Sequence, residues 1–317
     1  MYPLLLNAPL KDYLWGGNRL SSEFGFESDM DKIAEAWVFS CHKDGQSVVK
    51  NGELKGKTLS EAIDVFGKEC LGKNAEAFPY FPLLIKLIDA KNKLSIQVHP
   101  DDEYALKNEG EFGKTEMWYV VDCQPGAKLI YGLNREVTSE ELNKRINDDT
   151  VTEICNYVPV KKGDVFFISA GTLHAIGEGI LIAEIQQNSN TTYRVSDYGR
   201  LGADGKPRQL HKKQASEVIN KFPAKLTGND IVPQKTSYGT KKELAKCKFF
   251  TANLIDLEGC TTIENSESFV SVLVISGECE LSYNEDVLSL KKGSSVFIPA
   301  GFKSELSGNA QIILSCV

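Results

Sequence analysis

Residues Gly163 to His174 read GDVFFISAGTLH. Val165, Phe166, Phe167 and Ile168 are a β-rich apolar run that follows a Lys-Lys-Gly turn, so a strand is predicted there. Ser169, Ala170 and Gly171 turn the chain, and His174 opens a return strand from Leu173 towards Ile185. The turn aims one imidazole from a rigid frame. Histidine is the commonest metal ligand and the usual proton carrier near neutral pH. A lone histidine of this kind reads first as a core residue, and two further observations turn the reading towards function.

The first is an internal repeat. Lys161 to Gly171 is KKGDVFFISAG, and Lys291 to Gly301 is KKGSSVFIPAG. Lys-Lys-Gly, Phe-Ile and Ala-Gly coincide at a constant offset, and the same offset carries His174 onto Ser304. The chain therefore holds two copies of one β unit. The shared residues make the turn; the unshared histidine is the candidate for chemistry. The second observation lies upstream, in LSIQVHPDDEYA (Leu94 to Ala105) and GKTEMWYVV (Gly113 to Val121). Gln97 and His99 are two apart on an apparent strand and so point to one face. Glu116 opens another strand. Two imidazoles, a carboxylate and an amide oxygen or water suit Zn²⁺ with one position open.

The remainder of the chain supplies the frame. A length of 317 residues suits two domains, and 42% hydrophobic residues suffice for a large core. The net charge of −7 argues against nucleic-acid and anionic-membrane partners. No apolar run approaches the roughly 20 residues of a membrane span, and Tyr2 to Leu6 is too short and lacks the basic flank of a signal peptide. The eight cysteines are scattered without a C-x-x-C pair, as in a reduced, cytoplasmic protein. His42 follows the alternating strand Ile33 to Cys41 in a turn, as a solvated or a substrate-facing residue, and Trp15 reads as packing. Helices are predicted at Leu59 to Cys70, capped by Ser60, at Asp101 to Lys107, at Ser139 to Asn147 and at His211 to Lys221. Lys86 interrupts the buried strand Phe81 to Ala90, either snorkelling to an edge or facing a cavity to hold an anion. Pro223, Gly228 and Pro233 punctuate a polar linker. From Thr240 onward, strands of about four to eight residues alternate with turns, the all-β signature. The fold class expected is mainly β: two cupin-type jelly-roll barrels or sandwiches with a few short helices. The first domain spans residues 1–235 with the linker, and the second spans 236–317.

LSIQVHPDDEYA, GKTEMWYV, AGTLHAI, EIQQNSNTTYRVSDYGR and the IAEAW near the N-terminus together resemble the type I mannose-6-phosphate isomerases, in their short bacterial two-cupin form. The resemblance spans most of residues 1–200, and the C-terminal copy is similar to the degenerate, metal-free second cupin of that family. It implies one Zn²⁺ per chain held by Gln97, His99, Glu116 and His174, with water as an alternative to Gln97. It implies an essential arginine at Arg194, a substrate-site lysine at Lys114, phosphate-side contacts at Ser95 and Lys86, and an acidic residue at Glu184. The proton carrier is then Glu184, a zinc-held water or the catalytic pair Lys114 and Arg194, with Glu184 otherwise a group orienting a ligand. Asn190 stands where some longer members have an Asp. Asp197 and Arg200 read as a surface or structural ion pair. The activity implied is interconversion of mannose 6-phosphate and fructose 6-phosphate in carbohydrate metabolism, with a small-molecule sugar phosphate as partner and a monomer or weak homo-oligomer in solution. A non-catalytic sugar-phosphate-binding regulator and an iron-dependent cupin dioxygenase are the rival readings.

Overall fold

A computed structural model describes residues 1–202, 205–226 and 231–317; Gly228 of the predicted linker lies outside them. Among the described residues the strands form three sheets. Two of them, a five-stranded and a seven-stranded sheet, face each other and carry the residues singled out above.

The five-stranded sheet has the order Cys155–Pro159, Lys128–Leu133, His174–Ala175, Ile96–Val98, Tyr193–Ser196. The seven-stranded sheet runs Val165–Ile168, Glu116–Cys123, Ile180–Gln187, Leu83–Ala90, Glu35–His42, Leu10–Lys11, with Gly45–Gln46 on the Glu35 strand. The period of two on the strand Glu116–Cys123 explains the layering. Trp118 and Val120 pack inward against Leu129, Tyr131 and Ile176 of the facing sheet. Met117, Tyr119 and Val121 point the other way, into a core shared with Leu273, Ile275, Phe297 and Ile313 of the C-terminal part. The strands Leu83–Ala90 and Ile180–Gln187 are buried along their whole length, on both faces. Their sequences are accordingly near-continuous apolar runs, so a charge within them stands out. The outer face of the five-stranded sheet is covered by the helices Ser139–Asn147 and Lys212–Val218, through Leu142, Ile146 and Ala215.

The third sheet has nine strands and is built mainly from the C-terminal part. Leu4–Asn7 joins it, antiparallel to Ser295–Ile298, and Val48–Val49 adds to Leu4–Asn7. The boundary expected after residue 235 falls inside the strand Gln234–Thr236. The fold is mainly β with short helices, as expected; the sheets form jelly-roll sandwiches and do not close into barrels.

Several local expectations are corrected. In the C-terminal part Gly239–Lys246, Asp286–Lys291 and Ser295–Ile298 have the expected length. Three of the C-terminal strands are longer than four to eight residues: Thr251–Ile263 and Ser304–Cys316 have 13 and Val270–Tyr283 has 14. They pair continuously past Gly259, Gly277 and Gly308, which read as turn signals in sequence, and a register shift between Val274 and Ser276 bends the ladder. The return strand from Leu173 to Ile185 is two strands in different sheets, His174–Ala175 and Ile180–Gln187. The chain crosses between them at Gly177, where a Cβ would lie 1.7 Å from the Lys128 carbonyl oxygen. The helix predicted to Cys70 ends at Phe66. Its cap is Thr58, one side of a capping box with Glu61, in place of Ser60.

Candidate metal centre and substrate cavity

Backbone register builds the site. Across the five-stranded sheet Gln97 pairs with both His174 and Arg194, so three candidate side chains form one lateral row. Across the seven-stranded sheet Glu184 pairs with both Lys86 and Trp118. Glu116, two residues before Trp118, shares its face. The two rows meet between the sheets. The turn Ser169–Thr172 ties them together, because Gly171 N–H donates to the His99 carbonyl at 2.8 Å. Gly171 has φ +83°, a conformation that glycine adopts without strain.

His99, Glu116 and His174 are completely buried, and their potential ligand atoms all lie within 4.8 Å of one another. His99 Nε2 is 3.5 Å from one Glu116 oxygen and His174 Nε2 is 3.5 Å from the other. His99 Nδ1 donates to the Thr191 carbonyl at 2.9 Å, and His174 Nδ1 donates to the Thr172 carbonyl at 2.8 Å. With their Nδ1 protons committed, both rings present a lone pair at Nε2. Burial pushes the His174 pKa down to about 4 and, with the Lys114 charge, holds His99 well below 6.5, so both rings are neutral. Glu116 Oε2 meets Lys114 Nζ at 2.9 Å, and its other oxygen, Oε1, has no hydrogen-bond partner among the described residues. Burial and then Glu184 push its carboxyl up to about 7. A buried carboxylate with one free oxygen, between two neutral imidazoles, suits a cation, and this donor set fits a divalent metal such as zinc. Gln97 places its amide nitrogen 3.5 Å from His174 Nε2; its amide is the fourth candidate donor at that corner.

Beside this triad lies a cavity of about 280 Å³, with Lys86, Ser95, Gln97, Lys114, Glu184 and Arg194 in its wall. Lys114 Nζ is 2.9 Å from Glu116 and 3.9 Å from Glu184, linking the ligand carboxylate to the second acid. Glu184 accepts Trp118 Nε1–H at 2.9 Å and lies 3.1 Å from Lys86 Nζ. Burial alone would raise the Glu184 pKa, but Lys114 and Lys86 outweigh it and hold the carboxyl well below its ordinary range. Lys86 is thus cavity-facing and neither snorkels nor stands free, since Glu184 and Glu35 both neutralise it. Arg194 donates to the Gln209 carbonyl at 2.9 Å, while its Nε is buried without a partner among the described residues. Burial and the neighbouring Arg208 push its guanidinium below its ordinary value without discharging it.

The residues read as metal ligands and substrate contacts therefore gather in one place, and His42 lies outside the cavity wall. Sequence reasoning missed others in the same wall: Glu35, Arg208 and Tyr13. Glu35 is held by Trp37 Nε1 at 2.7 Å, and Arg208 by a two-pronged contact with Asp197 at 2.7 and 2.5 Å. Neither lies at a spacing that announces chemistry. Asp197 also pairs with Arg200, in the structural role read for those two. Trp15 is packed, as read, and also lines the cavity. His42 is buried and closes the strand Glu35–His42, so it is neither a turn residue nor a solvated one.

The chain has clear relatives. A family model described as phosphomannose isomerase type I, catalytic domain, matches residues 4–120, and one described as mannose-6-phosphate isomerase, cupin domain, matches residues 240–317. A Bacillus subtilis protein named mannose-6-phosphate isomerase ManA is 40% identical over 319 residues, covering 99% of this chain and 98% of that one. A mannose-6-phosphate isomerase of Streptococcus mutans is 38% identical over 320 residues, with 99% and 98% covered. A crystal structure of the mannose 6-phosphate isomerase from Bacillus subtilis, 36% identical, covers 100% of both chains with a TM-score of 0.92.

Proposed function

The chain belongs to the type I mannose-6-phosphate isomerase family, and from that premise we propose that it interconverts mannose 6-phosphate and fructose 6-phosphate through a cis-enediolate, with one zinc per chain. The observation that carries this reading is the meeting of two neutral imidazoles and a buried carboxylate with Arg194, Lys114 and Glu184 at one cavity.

In this reading His99, Glu116 and His174 hold the metal, with Gln97 or water beside them. When bound, zinc supplies a Lewis acid for the substrate oxygens. The reaction moves one proton between C2 and C1 of the opened sugar. Arg194 is charged at every working pH, and its unpartnered Nε gives it a donor for the negative charge that develops on the enediolate oxygen. Glu184 stays ionised beside Lys114 and Lys86, so it can accept the C2 proton and return it to C1. The same cations weaken it as a base. The acidity of the substrate proton must therefore come from stabilisation of the enediolate, which is the task assigned to Arg194 and the metal. Lys114 keeps Glu184 ionised and stands by as a proton donor for ring opening. Ser95 and Lys86 are the proposed phosphate-side contacts, positioning the sugar by its non-reacting end. The domains proposed are a catalytic part to residue 235 and a metal-free part beyond it.

The test is isomerisation of mannose 6-phosphate before and after chelation, with zinc added back. Activity that vanishes and returns supports the reaction and the metal. A zinc-loaded protein without activity would favour the sugar-phosphate-binding regulator. Arg194→Ala should lose about 10²–10³-fold in kcat, the usual cost of a donor to a developing oxyanion; normal turnover by that variant would remove Arg194 from the chemistry. The cytoplasm and a monomeric or weakly associated state complete the proposal. Among the described residues no helix is long and apolar enough to cross a membrane.

A further inference from the structure

The two ligand imidazoles are oriented by different means. His174 finds its carbonyl two residues away, inside its own turn. His99 depends on Thr191, 92 residues away. Thr191 lies in the loop 188–192, between the strands Ile180–Gln187 and Tyr193–Ser196. The start of that loop is fixed by its own neighbourhood: Gln186 Nε2 donates to the Ser189 carbonyl, and Ser189 Oγ donates to the Phe112 carbonyl. Its far half is tied by side chains across the cleft. Thr191 Oγ1 donates to Glu111 Oε2 at 2.8 Å, and Asn190 Nδ2 donates to Asp44 Oδ2 at 2.9 Å.

The second Glu111 oxygen lies 3.3 Å from His42 Nε2. His42 Nδ1 accepts the Asp44 backbone N–H at 3.1 Å, so the ring proton sits on Nε2 and is donated to Glu111. Glu111 thereby spans two elements, the end of the strand Glu35–His42 and the Thr191 loop. It faces a neighbouring cleft of about 380 Å³, and it is absent from the wall of the cavity that holds Ser95, Lys114 and Arg194. Nothing in the proposed chemistry uses it.

The geometry points to Glu111 as a positioning residue of the metal centre: by bridging His42 to Thr191 it fixes the carbonyl that sets the tautomer and orientation of His99. This rests on the reading of His99 as a metal ligand. Partners one step behind a metal ligand typically change metal affinity 10–100-fold when removed. Glu111 acts one step further out, so the lower end of that range applies.

The experiment measures zinc release from the zinc-loaded full chain into excess chromophoric chelator. Glu111→Ala should release zinc about tenfold faster than the unaltered chain, and Glu111→Gln, whose amide still spans the gap, should release it more slowly than the Ala variant. Thr191→Val keeps the carbonyl and loses the tie to Glu111. It should match Glu111→Ala, and it decides the matter should the Ala variant not fold. The unfolding temperatures of the metal-free proteins separate faster release from general loosening. Unchanged release from Glu111→Ala and Thr191→Val overturns the proposal while leaving the metal reading intact. Equal release from the Ala and Gln variants assigns the effect to lost charge and overturns the bridge. An unaltered chain that retains no zinc sinks the metal reading, and this inference with it.

Discussion

The two halves of the molecule share one turn and differ at nearly every residue around it. In the N-terminal half Ile168 pairs with Glu116, and Gly171 N–H donates to the His99 carbonyl. In the C-terminal half Ile298 pairs with Val270, and Gly301 N–H donates to the Asn265 carbonyl at the same 2.8 Å. Register thus places Val270 where Glu116 stands, Asn265 where His99 stands and Ser304 where His174 stands. Ile263 answers Gln97 through its pairing with Ser304, and Leu314 answers Glu184 through its pairing with Val272, the counterpart of Trp118. Each of these five side chains has a small, apolar or locally engaged counterpart in the second copy. The Asn265 side chain is used up in accepting the N–H groups of Glu267 and Ser268. The difference teaches that the turn belongs to the scaffold. Chemistry is added by replacing a handful of inward side chains. It also shows what the second copy does for the first. Its outer face packs against Met117, Tyr119 and Val121, and Tyr119 donates to Gln311 at 3.0 Å, so the strand that carries Glu116 is held from behind.

The sharpest way to break this comparison is to make the first copy resemble the second. His174→Ser should abolish zinc retention and lower turnover by about 10³-fold or more, since the metal accounts for several kcal/mol of charge stabilisation at 1.36 kcal/mol per decade. Metal analysis and the isomerase assay check both. Full activity with a serine there would show that the imidazole is scaffold too.

Glu184→Gln should cost about 10²–10³-fold in kcat. It also removes the stronger of the two carboxylate partners of buried Lys86, so a loss of about 3–5 kcal/mol in stability to denaturant should accompany it. Loss of activity without loss of stability would mean that Lys86 finds relief in Glu35 alone.

Acidification tests the same pair of positions more gently. His174 has its folded pKa lowered to about 4 from 6.5, so its neutral form contributes stability above pH 6.5 that is lost as pH falls towards 4. Glu116, raised to about 7 from 4.5, acts in the opposite sense over that window, so the comparison has to be a difference. The metal-free unaltered chain should therefore lose more stability than metal-free His174→Ser between pH 6.5 and 4. Parallel stability curves would refute the buried neutral imidazole.

The smallest effect is expected from the reverse exchange. Ser304→His should not create a second metal site, because Val270, Asn265 and Ile263 add no free ligand. Ser304 is buried, so the larger ring should destabilise by about 1–3 kcal/mol through overpacking. Two tightly held zinc ions per chain in that variant would show that the second half lacks only its histidine.

How much of this was legible follows from how local each signal is. The turn, the repeat and the alternation of Gln97 with His99 were readable because strand geometry has a period of two and turn residues act over a few positions. Lys86 stood out as a charge inside an apolar run and Glu184 through the family resemblance, but their pairing required the register of two strands far apart in sequence. Glu35, Arg208 and the Glu111–Thr191 tie gave no signal, since each acquires meaning only from partners brought near by the fold. Thr58 could have been found from its Glu three residues on. The long C-terminal strands could not, because their glycines read as turns until cross-strand pairing carries the ladder through them.

The amino-acid sequence by itself determined the mainly β class, the duplication, and which side chains carry ligand chemistry, because composition and short periods are properties of the chain. Only the tertiary structure decided that the Nδ1 protons of His99 and His174 are committed to carbonyls, that Glu116 is buried between the two rings with Lys114 beside it, and that Leu4–Asn7 completes the sheet of the other half. Those outcomes depend on hydrogen bonds and burial between distant segments, and such contacts exist only once the sheets have paired.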